Sequence, residues 1–183
     1  DFVIGGASAT VAVTAAAPTT QGANTVAAAA AASLALNVAL GKDVQAATVN
    51  TAVKTTLTIE NVAGSTKNLT SVDASASAGD ITYTSADAQV ATIKTGAGKD
   101  TVTLATALDA TTKAASVSTG AGDDVINVTA GAAAAVVGGT TVAMDAGEGK
   151  DTINLTISAN TVYDVQAGAG DDTATWSAGA VGS

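Results

Sequence analysis

The sequence predicts an all-β fold, a parallel β-helix or β-roll in which short strands repeat as the rungs of a solenoid. A glycine-x-glycine-x-aspartate motif occurs four times, with its aspartates 24, 27 and 21 residues apart. Apolar and polar residues alternate on both sides of each motif, which is typical of strands. Aromatic residues make up only 2% of the chain, so small side chains must fill a narrow, layered core. Repeats of about 20–50 residues in a fixed register indicate a solenoid.

Four apolar columns define the repeat when the motif aspartates are taken as anchors. The anchors are Asp100, Asp124, Asp151 and Asp172. The column seven residues before the anchors contains Ile93, Val117, Met144 and Val165. The column two residues after them contains Val102, Ile126, Ile153 and Ala174, and the column four residues after them contains Leu104, Val128, Leu155 and Trp176. The fourth column, nine residues before, contains Ala91, Ala115, Val142 and Tyr163. Each repeat is therefore predicted as strand, tight turn, strand and return loop, with Trp176 as the cover of the last rung.

The alternation continues upstream without the glycines. Ile81 and Tyr83 are assigned to the two columns after the anchor, and Val72 to the column seven residues before it. Leu57 and Ile59 fit a further rung, 24 positions before Ile81. These rungs are degenerate, because the turn between Asp73 and Asp80 has no Gly-x-Gly-x-Asp.

The predicted domain organisation has three parts. Residues 1–52 form an irregular segment or the start of the solenoid with an Ala-rich insertion, 53–176 form the solenoid, and 177–183 form a tail. Within the first part, Ala27 to Ala32 favours a short helix, whereas Leu34 to Leu40 alternates like a strand, and both alternatives stay open. The opening "DFVIGG" reads like the end of an earlier repeat, so we expect an excerpt of a longer protein.

Composition excludes several classes of function. The chain has no Cys, His or Arg, which removes disulfides, imidazole and thiol catalysis and the usual zinc ligands. A net charge of −9 argues against nucleic-acid binding, and no apolar run is long enough to span a bilayer. We therefore expect neither an enzyme nor a membrane-inserted protein. The acidic residues suit a cation-binding surface.

The turn motif suggests what that cation is. Two glycines allow a sharp turn with carbonyl oxygens directed inward, and the aspartate adds a carboxylate. Ca²⁺ takes 6–8 oxygens at about 2.3–2.6 Å, more than one turn supplies. Adjacent turns can share an ion, so the four anchors predict up to three sites, with added charge from Asp123 and Asp171. The alternative stays open, since Gly-Asp pairs are common turn residues without metal.

The four segments TGAGKDTVT, TGAGDDVIN, AGEGKDTIN and AGAGDDTAT resemble the nonapeptide GGxGxDxUx of RTX calcium-binding proteins, which form a parallel β-roll. The first glycine is replaced by Thr or Ala, and each motif stands alone rather than every nine residues, so metal is expected along one edge only. The resemblance implies ligands from the turn carbonyls and aspartates: Thr95, Gly96, Gly98, Asp100, Thr119, Gly120, Gly122, Asp123, Asp124, Ala146, Gly147, Gly149, Asp151, Ala167, Gly168, Gly170, Asp171 and Asp172.

Residues 55–176 as a whole resemble RTX-type bacterial surface-layer proteins and related adhesins. This implies a secreted, extracellular structural segment folded by calcium, which self-associates into a surface lattice and contacts a cell-surface glycan. The alternative is an RTX adhesin segment or the C-terminal folding and secretion module of a type I-secreted enzyme. The outward Thr and Asn residues also suggest an ice-binding face as an interpretation, but polar residues on an exposed strand are the ordinary explanation.

Overall fold

The fold is all-β. The computed structural model describes residues 2–4, 10–15, 33–40, 46–51, 54–61, 70–85, 92–104, 114–129, 140–157 and 161–178. These residues include no helix, and therefore no helix that could cross a membrane. The strands are Phe2–Ile4 (β1), Thr10–Ala15 (β2), Ser33–Leu40 (β3), Ala46–Thr51 (β4), Lys54–Asn61 (β5), Ser71–Asp73 (β6), Ile81–Ser85 (β7), Thr92–Lys94 (β8), Thr101–Leu104 (β9), Ala114–Ser118 (β10), Val125–Thr129 (β11), Thr140–Asp145 (β12), Thr152–Ile157 (β13), Thr161–Gln166 (β14) and Thr173–Ala178 (β15).

The strands form two parallel sheets that make a β-solenoid. Sheet A contains eight strands in the order β1-β3-β5-β7-β9-β11-β13-β15, and sheet B contains seven in the order β14-β12-β10-β8-β6-β4-β2. The chain alternates between the sheets, so a rung consists of a sheet B strand, a turn and the following sheet A strand. The four Gly-x-Gly-x-Asp turns all connect sheet B to sheet A, which places them along one edge.

The predicted core columns from β8 onward are confirmed by the strand register. Val102 pairs with Ile126, Ile126 with Ile153, and Ile153 with Ala174 along sheet A. In sheet B, Ile93, Val117, Met144 and Val165 align in the same way. The first three members of each column are buried, so neighbouring rungs cover one another.

The predicted register of the upstream rung is wrong by two residues. Tyr83, not Ile81, aligns with Val102. Val72 does align with Ile93, as predicted. Ile81 instead lies level with the anchor Asp100 of the next rung. Val72 precedes Ile81 by nine positions, whereas Ile93 precedes Asp100 by only seven, so the turn after Val72 has two extra residues. A shift of two keeps every side chain on its face, which is why Tyr83 is still buried although the column assignment is wrong.

The solenoid pairing extends upstream of residue 53. Strand β3 pairs in parallel with β1 and β5, and β2 pairs with β4. Leu34 to Leu40 is therefore part of a strand rather than a helix, in agreement with its alternating pattern. The helix prediction for Ala27 to Ala32 lies outside the described residues.

The outer face of sheet A carries a hydrogen-bonded row of side chains. The Asn127 amide donates to the Thr103 hydroxyl at 3.3 Å, and the Asn154 amide donates to Asn127 Oδ1 at 2.9 Å. The Thr175 hydroxyl donates to Asn154 Oδ1 at 2.7 Å. This row links four successive rungs, which gives the outward Thr and Asn residues a structural role.

Candidate metal site

The four Gly-x-Gly-x-Asp turns lie directly on one another. Parallel bridges join Ala97 to Ala121, Ala121 to Glu148, and Glu148 to Ala169. Between the first two turns, the Ala121 N–H donates to the Gly96 carbonyl at 2.9 Å, and the Gly98 N–H donates to the Ala121 carbonyl at 3.0 Å. The same two bonds recur between each later pair of turns. The backbone therefore fixes the stacking of the turns.

The glycines are required by this stacking. Gly122 has φ 137°, a conformation that residues with a Cβ rarely adopt. A Cβ at Gly122 would overlap the carbonyl oxygen of Gly98 in the preceding turn, and one at Gly120 would overlap the Gly96 carbonyl oxygen. Close approach of successive turns thus accounts for the two glycines of the motif by itself.

The anchor aspartates form a ladder of carboxyl-to-amide hydrogen bonds that runs along this edge. Asp124 Oδ1 accepts from the Asp100 N–H at 2.8 Å, Asp151 Oδ1 from the Asp124 N–H at 2.8 Å, and Asp172 Oδ1 from the Asp151 N–H at 2.9 Å. At the start of the ladder, Asp100 Oδ1 accepts from the Ile81 N–H at 2.7 Å. Each aspartate therefore satisfies the backbone of the rung before it.

The second carboxylate oxygen of three anchors has no partner. Asp100, Asp124 and Asp151 are at most 1% exposed, and their Oδ2 atoms accept no hydrogen bond. The Thr95 hydroxyl lies beside the Asp100 carboxyl and the Thr119 hydroxyl beside the Asp124 carboxyl, close enough to lower the pKa of each. Both hydroxyls nevertheless donate their single proton to a carbonyl of the next turn at 3.0 Å. Buried carboxylate oxygens are ordinarily hydrogen-bonded or bound to a cation, so these three atoms are the unexplained feature of the edge.

Burial changes the acidity of these carboxyl groups. Desolvation raises the pKa of Asp124 from 3.8 to about 6, against the opposing hydrogen bond from the Asp100 N–H. Desolvation likewise raises the pKa of Asp100 and of Asp151. The charges of Asp100 and Asp151, one rung away on either side, add to the shift at Asp124. A row of such carboxylates at the rung spacing of about 4.8 Å stabilises either protons or a bound cation.

A second column of charged residues stands outside the ladder, and its sign alternates. The residues immediately before the anchor positions are Asp80, Lys99, Asp123, Lys150 and Asp171. Asp80 Oδ1 accepts from the Lys99 N–H at 2.8 Å, and Asp123 Oδ1 accepts from the Lys150 N–H at 3.0 Å. The acidic member thus binds the backbone of the following, basic rung. Apart from the partly buried Asp80, these side chains are exposed.

The acidic residues among the predicted ligands differ in burial. Asp100, Asp124 and Asp151 are buried in the ladder, whereas Asp172 is partly exposed and Asp123 and Asp171 are exposed. The carbonyls of Thr119 and Ala146 already accept side-chain hydrogen bonds from Thr95 and Thr119. No group of three acidic side chains suited to a metal ion occurs in the described part of the chain. An ion here would therefore take most of its ligands from backbone carbonyls of two turns.

Two structural roles at this edge are absent from the sequence prediction. Thr95 and Thr119 replace the first motif glycine, and their buried hydroxyls bond the next turn's carbonyls at 3.0 Å. Asp80, in the degenerate turn, binds a backbone amide of the following turn. The signal for Asp80 was the alternation of Asp and Lys before the anchors, which is visible only once the rungs are aligned.

Comparison with protein-family models, with curated proteins and with solved structures gives no match for this chain.

Proposed function

We propose that this chain is a structural, calcium-binding β-solenoid segment of a secreted bacterial surface-layer protein, stabilised by Ca²⁺ shared between stacked Gly-x-Gly-x-Asp turns. The observation that carries the calcium proposal is the set of three buried Oδ2 atoms without a donor. They lie in adjacent rungs at the edge formed by the stacked turns. A divalent ion would satisfy oxygens of two rungs at once and would neutralise the repulsion between neighbouring carboxylates.

Two chemical states can satisfy a buried carboxylate, and they differ in their consequences. Protonation satisfies it at low pH, in keeping with the raised pKa of Asp124. At neutral pH the carboxylate is ionised for most of the time, because about 6 is below 7. Calcium then supplies the missing positive charge, and carbonyl-rich ligand sets with few carboxylates suit the hard, flexible coordination of Ca²⁺ better than that of Mg²⁺.

The surface-layer part of the proposal is supported by the RTX resemblance of residues 55–176 and by the absence of residue types used in most catalysis. In this role the solenoid is a rigid spacer that self-associates in a lattice on the extracellular face and contacts cell-surface glycan. Extracellular calcium modules bind with Kd of about 10⁻⁴–10⁻³ M, so the ion would bind after export. The second candidate from the same resemblance is an RTX adhesin segment or the C-terminal module of a type I-secreted enzyme.

The experiment is a calcium titration of the chelator-treated chain followed by far-UV circular dichroism, with Mg²⁺ in parallel. We expect a gain of β-structure or of thermal stability near millimolar calcium, absent with magnesium and weakened by Asp124→Ala. The matched control is Asp164→Asn, which removes one exposed carboxylate on β14 away from the turns. A chain that responds identically to both ions, or not at all, would leave the turns as ordinary Gly-Asp stacking.

A further inference from the structure

The column of alternating charges beside the ladder extends through six rungs. The register of β5 with β7 places Lys54 level with Asp80, and that of β7 with β9 places Asp80 level with Lys99. The stacked turns align the later members. In chain order the column contains Lys54, Asp80, Lys99, Asp123, Lys150 and Asp171. Its charges alternate at every step and cancel, although the whole chain carries a net charge of −9.

The lysine side chains of this column have no ionic partner within the described residues. Asp80 and Asp123 each accept a backbone N–H of the following rung, which gives them a structural role. The lysines are exposed and form no ion pair with a described carboxylate. Lysine between two aspartates lowers the repulsion along the column, but a neutral residue would separate the carboxylates as well. Strict alternation of sign therefore indicates a partner that carries both charges.

Small side chains flank the charged column. The bridged residues at the tips of the four turns lie two positions before its last four members, and three of them are alanine: Ala97, Ala121, Glu148 and Ala169. The exception is Glu148, which is exposed. Alanine tips leave room for a second surface to approach the charged side chains along most of the edge.

An alternating column is complementary to its own reversed copy. A two-fold axis perpendicular to the column reverses the order of the rungs, and such an axis relates the two halves of an isologous contact. With the axis midway between Lys99 and Asp123, every member of the column faces a member of opposite charge. Two copies packed parallel and in register would instead place like charges opposite each other.

We propose that this edge is an isologous contact between two copies of the chain, packed antiparallel about that axis. Three kinds of ion pair form, each of them twice: Lys99 with Asp123, Lys150 with Asp80, and Lys54 with Asp171. The contact deepens the self-association of the proposed function and rests on that function for its place in a lattice. A strip of exposed ion pairs is a weak contact by itself, and it gains strength where many copies are held together.

The experiment is sedimentation equilibrium of the full chain at protein concentrations up to about 1 mM, where weak contacts are populated. It uses whichever buffer, with calcium or with chelator, circular dichroism shows to be β-rich, so failure of the calcium proposal is separated from failure of this contact. We expect a reversible dimer of the wild type. Lys99→Asp should weaken it by about tenfold, because the symmetry turns two attractive pairs into two repulsive ones.

Two double variants separate contacts between copies from contacts along one chain. Lys99→Asp with Asp123→Lys keeps every pair across the axis opposite in charge, so it should dimerise like the wild type. The matched control, Asp80→Lys with Lys99→Asp, has the same composition and net charge and creates as many like-charged neighbours within the column. Each variant also loses one carboxylate-to-backbone hydrogen bond. The control places like charges opposite each other across the axis, so it should dimerise no better than Lys99→Asp.

Several results would overturn the proposal. These are a monomeric wild type at about 1 mM, equal association of the two double variants, or a dimer restored in the control alone. A dimer that Lys99→Asp strengthens in calcium would assign the contact to ions bridging carboxylates and would overturn it too.

A check on the wild type requires no variant to fold. Carbodiimide, which joins a lysine to a carboxylate in direct contact, is applied to a mixture of unlabelled and ¹⁵N-labelled chains. We expect Lys99–Asp123 links between a labelled and an unlabelled chain, and links within single chains only would contradict the contact.

Discussion

Replacing Asp124 by asparagine separates the two states in which a buried carboxylate can be stable. Asp124 is 1% exposed, its Oδ1 accepts from the Asp100 N–H, and its Oδ2 has no partner. Asparagine has nearly the same shape, keeps the acceptor and removes the charge. Its new N–H group can donate to the Thr119 hydroxyl, whose own proton goes to the Ala146 carbonyl.

The expected magnitude without calcium comes from the pKa of Asp124. Raising it from 3.8 to about 6 corresponds to a cost of roughly 3 kcal/mol for the ionised form at pH 7. Asp124→Asn removes that cost, so in chelator the variant should be more stable than the wild type, by up to about 3 kcal/mol.

Calcium should offset this difference. A ligand at ten times its Kd stabilises the folded state by about 1.4 kcal/mol per site, and Asp124 would take part in two of the three proposed sites. The wild type should therefore gain about 3 kcal/mol more from calcium than the variant does.

The assay is urea unfolding at pH 7 followed by circular dichroism, in chelator and in millimolar calcium, for the wild type, Asp124→Asn and the control Asp164→Asn. The control should match the wild type in both buffers, because Asp164 is exposed. An Asp124→Asn chain that is less stable than the wild type in chelator would refute the electrostatic reasoning. An equal calcium-induced gain in both chains would refute a ligand role for Asp124.

Three further predictions follow from the same contacts. Gly122→Ala should destabilise the chain by about 3 kcal/mol or more, because residue 122 has φ 137° and its new Cβ would overlap the Gly98 carbonyl oxygen. Thermal unfolding measures this, with Ala97→Ser at an exposed turn position as the control. A Gly122→Ala chain as stable as the wild type would contradict the stacking. In chelator, wild-type stability should fall as pH rises from about 4 to above 6, because the folded chain binds a proton at Asp124 that the unfolded chain has lost; urea midpoints across this range measure it, and a flat or rising profile contradicts it. Asn154→Ala should cost about 1–2 kcal/mol, since it breaks the bonds to Asn127 and Thr175; urea unfolding compares it with Thr152→Ala on the same strand, and equal effects would deny the row a role.

The fold could be predicted from the sequence because each rung buries the same columns. From β8 onward, seven residues always separate the last core residue of sheet B from the anchor, so the period-two pattern stays in register across the turn. Upstream, the longer turn between Val72 and Ile81 moved the register by two while keeping the faces. Apolar–polar alternation does not reveal a shift of two residues, because every side chain stays on the same face. The sequence pattern therefore assigns Ile81 to the wrong column.

The candidate site could be predicted only in outline. The spacing identified the anchor aspartates but not that Oδ1 of each one binds the amide of the preceding rung, since such a bond needs the stacking geometry. Nor could it separate two interpretations of the glycines, because the observed close approach of the turns and the proposed metal coordination both require a residue without a Cβ. The carboxylate oxygens without donors, visible only in three dimensions, distinguish the anchors from ordinary turn residues.

The most direct test of the calcium proposal is equilibrium dialysis of the folded chain against calcium at neutral pH, beside Asp124→Asn. The proposal predicts saturable binding of up to three ions with Kd of about 10⁻⁴–10⁻³ M, and at least one fewer in the variant. No bound calcium at millimolar concentration, or the same stoichiometry in both chains, would contradict it. The buried carboxyl groups would then be stabilised by protonation instead.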